Sequence, residues 1–321
     1  KAEEEAAAAA AAAASAAKGG AAAAAATPAP AAAGAGGGDD LHVVGGSNGD
    51  DDTLKSLYCE TLKGHAYDTA NFNLPSGGFR SVFSADIKSA AKSMAATVTK
   101  RVKAELRGMK KGLPLSWEST VLLRYEKRRP YILQALIFGP DNTPYDSGAF
   151  VFDIFCGANY PNGPPSCKII PTGGGSFRFN PNLYANGKVC LSLLGTWSGG
   201  SKTEEWNAET STMLQMLVSI QALIMVPEPA FNEPGYERQR GTPEGDRLVR
   251  YADNGGYEKL REGNLKWAMI DQLKNPHEGF EEAVKSHFRL KRKYIGLLVE
   301  SWLAEAATST DSGHATRLKK L

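Results

Sequence analysis

Apolar residues recur at helical spacing in four stretches of the chain. In the first, Val98, Val102 and Leu106 stand four residues apart, the residues between them are mostly polar or basic, and Gly112 follows. A period near 3.6 residues with a closing glycine predicts an amphipathic helix. The helices predicted in this way cover residues 98–111, 208–225, 257–274 and 278–304.

The pattern between the first two helices is different, because short apolar runs are separated there by turn residues. The runs cover residues 117–125, 130–138, 148–156 and 166–171. The gaps at 139–142 and 160–165 are rich in proline, glycine and asparagine. Strands with such short connections pair antiparallel, since parallel neighbours need a long crossover. A helix, a four-stranded antiparallel meander and further helices together predict an α+β fold.

The first 38 residues have a composition unlike the rest, with 23 alanines and 6 glycines. Such a segment cannot bury enough apolar surface to offset the entropy that is lost when its backbone is ordered. The residues that follow are rich in glycine and aspartate, so we predict a disordered arm over residues 1–53. The chain opens at Lys1 without a secretory signal, and we expect it to be a piece of a longer protein.

Charge and cysteine content exclude several classes of protein. Lys and Arg total 37 against 35 Asp and Glu, a formal net charge of +2, which gives no electrostatic basis for binding nucleic acid. No run of large apolar residues is long enough to predict a membrane span. The four cysteines, at positions 59, 156, 167 and 190, lack the spacing of a zinc site or a disulfide framework. We therefore expect no metal and a reducing location, cytoplasmic or nuclear.

The segment around Cys190 carries the candidate chemistry. After a tight turn at Asn186-Gly187, aliphatic residues at 189, 191 and 193 alternate with polar residues and the cysteine. In an extended segment this alternation places Cys190 opposite the aliphatic side chains and beside Lys188. An exposed thiol next to a cation is a candidate nucleophile, because the cation favours the thiolate. The alternative, that Cys190 is a small core residue, stays open.

Asn182 is the second candidate, eight residues before Cys190 in a proline-containing turn. A side-chain amide held beside a reacting thioester can donate a hydrogen bond to the developing oxyanion. The alternative is that this amide only caps the turn. The residues by themselves leave both roles open.

Separated motifs around this segment resemble the catalytic domain of ubiquitin-conjugating enzymes. They are Tyr160-Pro161 with Pro164-Pro165, Asn180-Pro181-Asn182, the run Gly-Lys-Val-Cys-Leu at 187–191, Trp197 and Trp206. Later motifs at 231–238, 241–243 and 266–269 are similar to the large subfamily of BRUCE/Apollon type. The resemblance implies a UBC-like α+β fold, with an N-terminal helix, the four-stranded meander, a crossover helix and C-terminal helices.

The same resemblance divides the chain into regions. The disordered arm ends at residue 53, and the family's core begins near residue 94. The divisions are a family-like preceding segment over 54–93, the ubiquitin-conjugating core over 94–275, a C-terminal helical extension over 276–304 and a polar tail over 305–321.

The function that the resemblance implies is that of a ubiquitin-conjugating enzyme. Cys190 matches the cysteine that accepts ubiquitin as a thioester before transfer to a lysine amine, and Asn182 matches the asparagine that stabilises the oxyanion. Glu233 falls where relatives carry an acidic residue that orients the incoming lysine. Asn180 replaces a commoner histidine whose role is structural. Hybrid conjugating and ligase character is a further implication, and a catalytically silent module that binds ubiquitin or a partner is the alternative.

Partners follow from the resemblance too. They are ubiquitin, the ubiquitin-activating enzyme and protein substrates. The activating enzyme would meet the basic helix at 98–111, although a solvated helix face shows the same pattern. Asn162 stands where relatives place a large apolar residue that docks RING-type ligases, so we expect substrates to be engaged without such a ligase. ATP is used by the activating enzyme, so we expect no cofactor.

Overall fold

Five strands form one sheet in sequence order in this computed structural model, which describes residues 48–170, 172–196, 204–253, 255–309, 311 and 313–321. The strands are β1 (Tyr67–Ala70), β2 (Thr120–Glu126), β3 (Ile132–Phe138), β4 (Ala149–Phe155) and β5 (Ser166–Ile169). Strands β2 to β5 pair antiparallel, which confirms the meander. Strand β1 is an unpredicted fifth member and lies parallel to β2. It was missed because its four residues carry no alternating pattern, and its parallel pairing uses a long crossover.

The predicted helices are all present, with small differences at their ends. Helix α3 spans Ala96–Gly112, α4 spans Met213–Ser219 and continues as a π-helical turn over Ile220–Ile224, and α8 spans Glu281–Ala306. The helix predicted over 257–274 is one run made of α6 (Tyr257–Gly263), a π-helical stretch (Asn264–Ile270) and α7 (Asp271–Lys274).

Four further helices lie in regions where the sequence shows no dominant period. They are α1 (Asn48–Lys63), α2 (Ser84–Ala90), α5 (Pro243–Tyr251) and α9 (His314–Lys319). Helix α1 begins inside the predicted arm, whose residues 1–47 lie outside the described part of the chain. Helix α9 lies in the predicted polar tail, where the buried side chains of His314 and Leu318 anchor it. Tertiary contacts, rather than local periodicity, place these helices.

Helices cover both faces of the sheet. Strands β3 and β4 are buried along their whole length, which explains their nearly continuous apolar sequence. On one face Phe150 and Phe152 belong to a core that includes the apolar side of α3 and α4. On the other face Phe138 and Val151 belong to a second core, built with α1 and α8.

Helix α3 has the amphipathic character that its sequence predicts. Val98, Val102, Leu106 and Met109 are buried against the sheet. The exposed basic side chains are Lys100, Lys103, Arg107, Lys110 and Lys111. Helix α3 therefore presents a basic face to solvent.

No helix in the described part of the chain is long and apolar enough to cross a membrane. Across the same residues, no three His, Cys, Asp or Glu side chains come together as a metal site.

Candidate active site

The site is built around a turn at Asn180-Pro181-Asn182. The Leu183 N–H donates to the Asn180 carbonyl at 3.0 Å, and the Asn182 N–H donates to the Asn180 side-chain oxygen at 2.8 Å. The Asn180 amide group donates in turn to the Tyr145 hydroxyl at 2.7 Å and to the Ile224 carbonyl at 2.8 Å. Asn180 is fully buried, so these bonds satisfy an amide that has no access to water. This residue therefore holds the turn against α4 and the β3–β4 connection.

A second turn carries the chain from Leu183 back to Cys190. Gly187 adopts a φ of 84°, and its N–H donates to the Tyr184 carbonyl at 2.9 Å. A Cβ at Gly187 would lie 2.7 Å from the Ile169 carbonyl oxygen, so both the backbone conformation and the space require glycine. The Asn186 side chain accepts from the Lys188 N–H at 3.0 Å. The tight turn predicted at Asn186-Gly187 is present.

These two turns bring Cys190 and Asn182 together. The Cys190 N–H donates to the Asn182 carbonyl at 2.8 Å, and the Asn182 side-chain amide donates to the Cys190 carbonyl at 2.9 Å. The Asn182 side-chain oxygen is buried without a hydrogen-bond partner. The Asn182 amide thus lies beside the backbone of the candidate nucleophile.

The thiol itself is not exposed, which corrects the expectation from the alternating pattern. Cys190 is only 3% exposed, and Val189 and Leu191 on the opposite face are buried too. The alternation failed because the chain folds back after Leu191. The Thr196 hydroxyl donates to the Val189 carbonyl at 2.7 Å and accepts from the Leu191 N–H at 3.0 Å, so the returning chain is tied to the backbone on either side of Cys190. Lys188 is exposed, and its ammonium lies 5.7 Å from the centre of the Tyr184 ring.

Glu233 reaches the site through Arg178. It follows a 3₁₀ turn over Pro229–Asn232, and the Asn232 side-chain amide ties that turn to the Leu223 carbonyl at 3.1 Å. A Glu233 carboxylate oxygen lies 3.7 Å from Nη2 of Arg178. Among the described residues no hydrogen bond or ion pair joins Glu233 directly to Cys190. Glu233 is therefore placed beside the Asn180-Pro181-Asn182 turn rather than on the cysteine.

Sequence reasoning overlooked Arg178. Its guanidinium donates from Nε to the Asn180 carbonyl at 3.1 Å and from Nη2 to the Pro181 carbonyl at 2.6 Å. A signal was available, because a charged residue between the two aromatic residues Phe177 and Phe179 is unusual unless its charge has partners.

One arginine of the predicted basic face is structural. Arg101 donates to the Glu105 carboxylate at 2.6 Å and to the Ser211 carbonyl at 2.7 Å. The same carboxylate accepts from the Met213 N–H at 2.8 Å and from the Tyr160 hydroxyl. Glu105 thereby links α3, the start of α4 and the proline-rich loop. The proline-rich loop contains a cis Tyr160-Pro161 peptide bond, and the Trp206 indole N–H donates to the Pro161 carbonyl at 2.6 Å. Trp197 lies outside the described residues.

Comparison with known proteins identifies this arrangement. The family model "Ubiquitin-conjugating enzyme" matches residues 101–240, which contain the two turns and Glu233. The chain is 43% identical over 246 residues, 74% of its length, to the dual E2 ubiquitin-conjugating enzyme/E3 ubiquitin-protein ligase BIRC6 of Homo sapiens. It is 40% identical over 81% of its length to the probable ubiquitin-conjugating enzyme E2 R521 of Acanthamoeba polyphaga mimivirus. It is 45% identical over 64% of its length to the probable ubiquitin-conjugating enzyme protein 17 of Caenorhabditis elegans.

The chain spans only a small part of these relatives. The matched region covers 5% of the human protein, 17% of the viral protein and 27% of the nematode protein. The matches include regions outside the family model, because 246 aligned residues exceed the 140 of that model. The resemblance stated from the sequence motifs is confirmed, and the chain carries a domain of the ubiquitin-conjugating enzyme family that is similar to a region of BIRC6.

Proposed function

We propose that the chain accepts ubiquitin on Cys190 as a thioester and transfers it to a lysine amine. The observation that carries this proposal is the pair of hydrogen bonds between Cys190 and Asn182, at 2.8 and 2.9 Å, inside the family domain. These bonds hold the Asn182 amide against the backbone of Cys190, which supports its assignment as the oxyanion donor. An oxyanion donor is useful only when it is held in place before the reaction.

The reaction has two steps. In the first, the Cys190 thiolate attacks the thioester carried by the activating enzyme, a new sulfur–carbon bond forms, and the thiol of the activating enzyme leaves. In the second, a neutral lysine amine attacks the Cys190 thioester, and the Cys190 thiolate leaves as the isopeptide bond forms. Asn182 would exchange its bond to the Cys190 carbonyl for one to the oxyanion of this second step. Glu233 would orient the amine or accept its proton.

The partners proposed are ubiquitin, the activating enzyme and protein substrates. The exposed basic side chains of α3 offer the surface for the activating enzyme, and within the described residues none of the five has a carboxylate within ion-pair distance. Asn162 is exposed and polar, which supports engagement of substrates without a RING-type ligase. We propose that the chain acts in the cytoplasm or nucleus. It would need no cofactor, because the activating enzyme uses the ATP. The relative BIRC6 is named a dual enzyme, and we extend hybrid conjugating and ligase character to this chain.

A charging assay tests the proposal. The full chain is incubated with activating enzyme, ATP and ubiquitin, and the products are separated without reductant. We expect an adduct that reductant removes, that is absent from Cys190→Ala and that persists in Cys167→Ala, a buried cysteine outside the site. Absence of an adduct from the parent chain at saturating concentrations would contradict the proposal.

The Asn182→Ala variant tests the second step. Loss of one oxyanion donor should slow discharge to free lysine by about 100-fold while charging stays at the parent rate. Discharge is followed as decay of the purified thioester after the activating enzyme is removed. If Asn182→Ala instead blocks charging, the role assigned to this residue is wrong.

The burial of Cys190 favours one alternative, a module that binds ubiquitin without reacting. That alternative predicts binding of ubiquitin by the parent chain with no reductant-sensitive adduct. It also predicts that Cys190→Ala binds as tightly as the parent chain. The charging assay therefore separates the two functions.

A further inference from the structure

Arg178 makes an unusual set of contacts for a single side chain. Its guanidinium donates to two successive carbonyls, those of Asn180 at 3.1 Å and Pro181 at 2.6 Å. Nη2 also lies 3.7 Å from a Glu233 carboxylate oxygen, and the guanidinium carbon lies 4.1 Å from the centre of the Tyr184 ring. The side chain is 24% exposed, so most of it is removed from water. Planar guanidinium groups suit such combined bonding and stacking, which an ammonium cannot reproduce.

The first consequence concerns Asn182. The carbonyl of Pro181 and the N–H of Asn182 belong to the same peptide unit, and this unit is held from both ends. Arg178 holds the carbonyl at 2.6 Å, and the Asn180 side chain holds the N–H at 2.8 Å. Fixing this planar unit limits rotation of the backbone that carries the Asn182 side chain.

The second consequence concerns Glu233. The Glu233 carboxylate oxygen lies 3.7 Å from Arg178 Nη2, which is close enough for charge attraction but too far for a hydrogen bond. The oxygen concerned is buried and has no hydrogen-bond partner among the described residues. Arg178 therefore keeps this carboxylate beside the turn by charge attraction, without using the hydrogen-bonding capacity of that oxygen.

We propose that Arg178 is a positioning residue for lysine discharge, which sets the Asn182 amide and the Glu233 carboxylate together through one guanidinium stacked on Tyr184. The inference rests on the proposed function and deepens it. Arg178 touches neither reacting atom. It acts on the second step, because Asn182 and Glu233 serve the attack of the amine, and it leaves the thiol exchange of the first step unchanged.

The test measures charging and lysine discharge separately in the full chain. Arg178→Met should charge at the parent rate and discharge to free lysine about 30-fold more slowly at saturating lysine, since both groups lose their alignment. Arg178→Lys keeps the charge but not the pair of hydrogen bonds to the two carbonyls. Its discharge rate should recover in part, to about 5-fold below that of the parent.

The matched control is Arg129→Met. Arg129 has a similar exposure of 27%, an ion pair with Glu126 at 3.0 Å and a stacking distance of 4.4 Å to Phe79, but it lies outside the site.

A double-mutant cycle separates positioning from a merely structural effect. Glu233→Gln should slow discharge less in the Arg178→Met background than in the parent, because the carboxylate is already misplaced there. Discharge at the parent rate in Arg178→Met, with the parent chain charging normally, would overturn the inference alone. Failure of the parent to charge would overturn the proposed function and the inference with it. If Arg178→Met does not fold, Arg178→Lys provides the test. Equal losses of charging and of discharge in Arg178→Lys would also contradict a positioning role for Arg178.

Discussion

Two buried polar networks meet at neighbouring residues of the β3–β4 connection, and they differ in charge. Tyr145 belongs to the network around the Asn180 side chain, which uses only amide, hydroxyl and backbone groups, whereas the charged Arg178 holds the same turn through other carbonyls. Asp146 belongs to the network that fixes α8, which uses charged groups. The first lies on the side of the sheet that bears Cys190, and the second lies on the opposite side. Comparing them shows which parts of the molecule respond to protonation.

The charged network is centred on Lys291, which is 1% exposed. Its ammonium donates to the Asp141 carboxylate at 2.8 Å and lies 4.8 Å from the Trp117 ring centre. Burial raises the pKa of Asp141 and of Asp146, and the nearby Lys291 opposes that rise. Burial also lowers the pKa of His287 well below its ordinary value. Packing of α8 on the sheet is therefore linked to pH.

The neutral network contains no group that changes charge near neutral pH. Burial raises the pKa of the Tyr145 hydroxyl, which keeps the phenol protonated. The hydrogen bonds around the Asn180 side chain are therefore insensitive to pH near neutrality. The Asn180 network and the helical layer behind the sheet can thus be perturbed independently.

Lys291→Met gives the largest effect that we expect. Removing the ammonium leaves buried carboxylates without a counter-charge, and the free energy of unfolding should fall by about 4 kcal/mol at pH 8.5. The loss should shrink at pH 6, because Asp141, whose pKa is already raised, takes up a proton and needs no counter-charge. Urea denaturation at both pH values measures this. An equal loss at the two pH values would contradict the role given to Asp141.

Asn180→Ala tests the neutral network. The substitution leaves the Ile224 carbonyl and the Asn182 N–H without partners, which should lower the free energy of unfolding by about 3 kcal/mol. The loss should be the same at pH 6 and pH 8.5, measured by the same denaturation. The exposed Asn162→Ala is the matched control and should leave stability unchanged. A loss for Asn180→Ala that varies with pH would remove the distinction between the networks.

His287→Gln has the smallest expected effect and tests one group of the charged network. As pH falls below the ordinary histidine value of 6.5, the unfolded chain binds a proton that the folded chain resists, so the parent loses stability through this group. The substitution removes that contribution, about 1 kcal/mol between pH 6.5 and 5.5. The measurement is the slope of unfolding free energy against pH for parent and variant. Parallel curves would show that His287 is not a source of pH dependence.

Periodicity predicted much of the fold because the long elements are one-sided or wholly buried. The stripe of Val98, Val102 and Leu106 located α3, and the apolar runs located β2 to β5. The sequence of helix α1 shows no helical periodicity, because its buried Tyr58 and Leu62 follow a first half rich in acidic residues. Its position depends on contacts such as the 2.8 Å hydrogen bond between Tyr58 and His287, which are 229 residues apart. No local pattern encodes a contact of that kind.

The site shows the same limit. Motif positions pointed to Cys190 and Asn182, and the structure brings these two residues together. Local alternation did not predict the burial of Cys190, because the chain folds back after Leu191 and Thr196 binds the backbone on either side of the cysteine. The bridge from Arg178 to Glu233 joins residues 55 positions apart. Spacing within a single motif cannot report such a bridge, whose function stays a prediction until it is tested.

Helices α1 and α8 pack together behind the sheet, joined by the hydrogen bond between Tyr58 and His287. This layer is therefore built from segments that lie far apart in the sequence, whereas the opposite face of the sheet is covered by helices from the residues between them. The layer behind the sheet is complete only when residues near both ends of the described chain are in place.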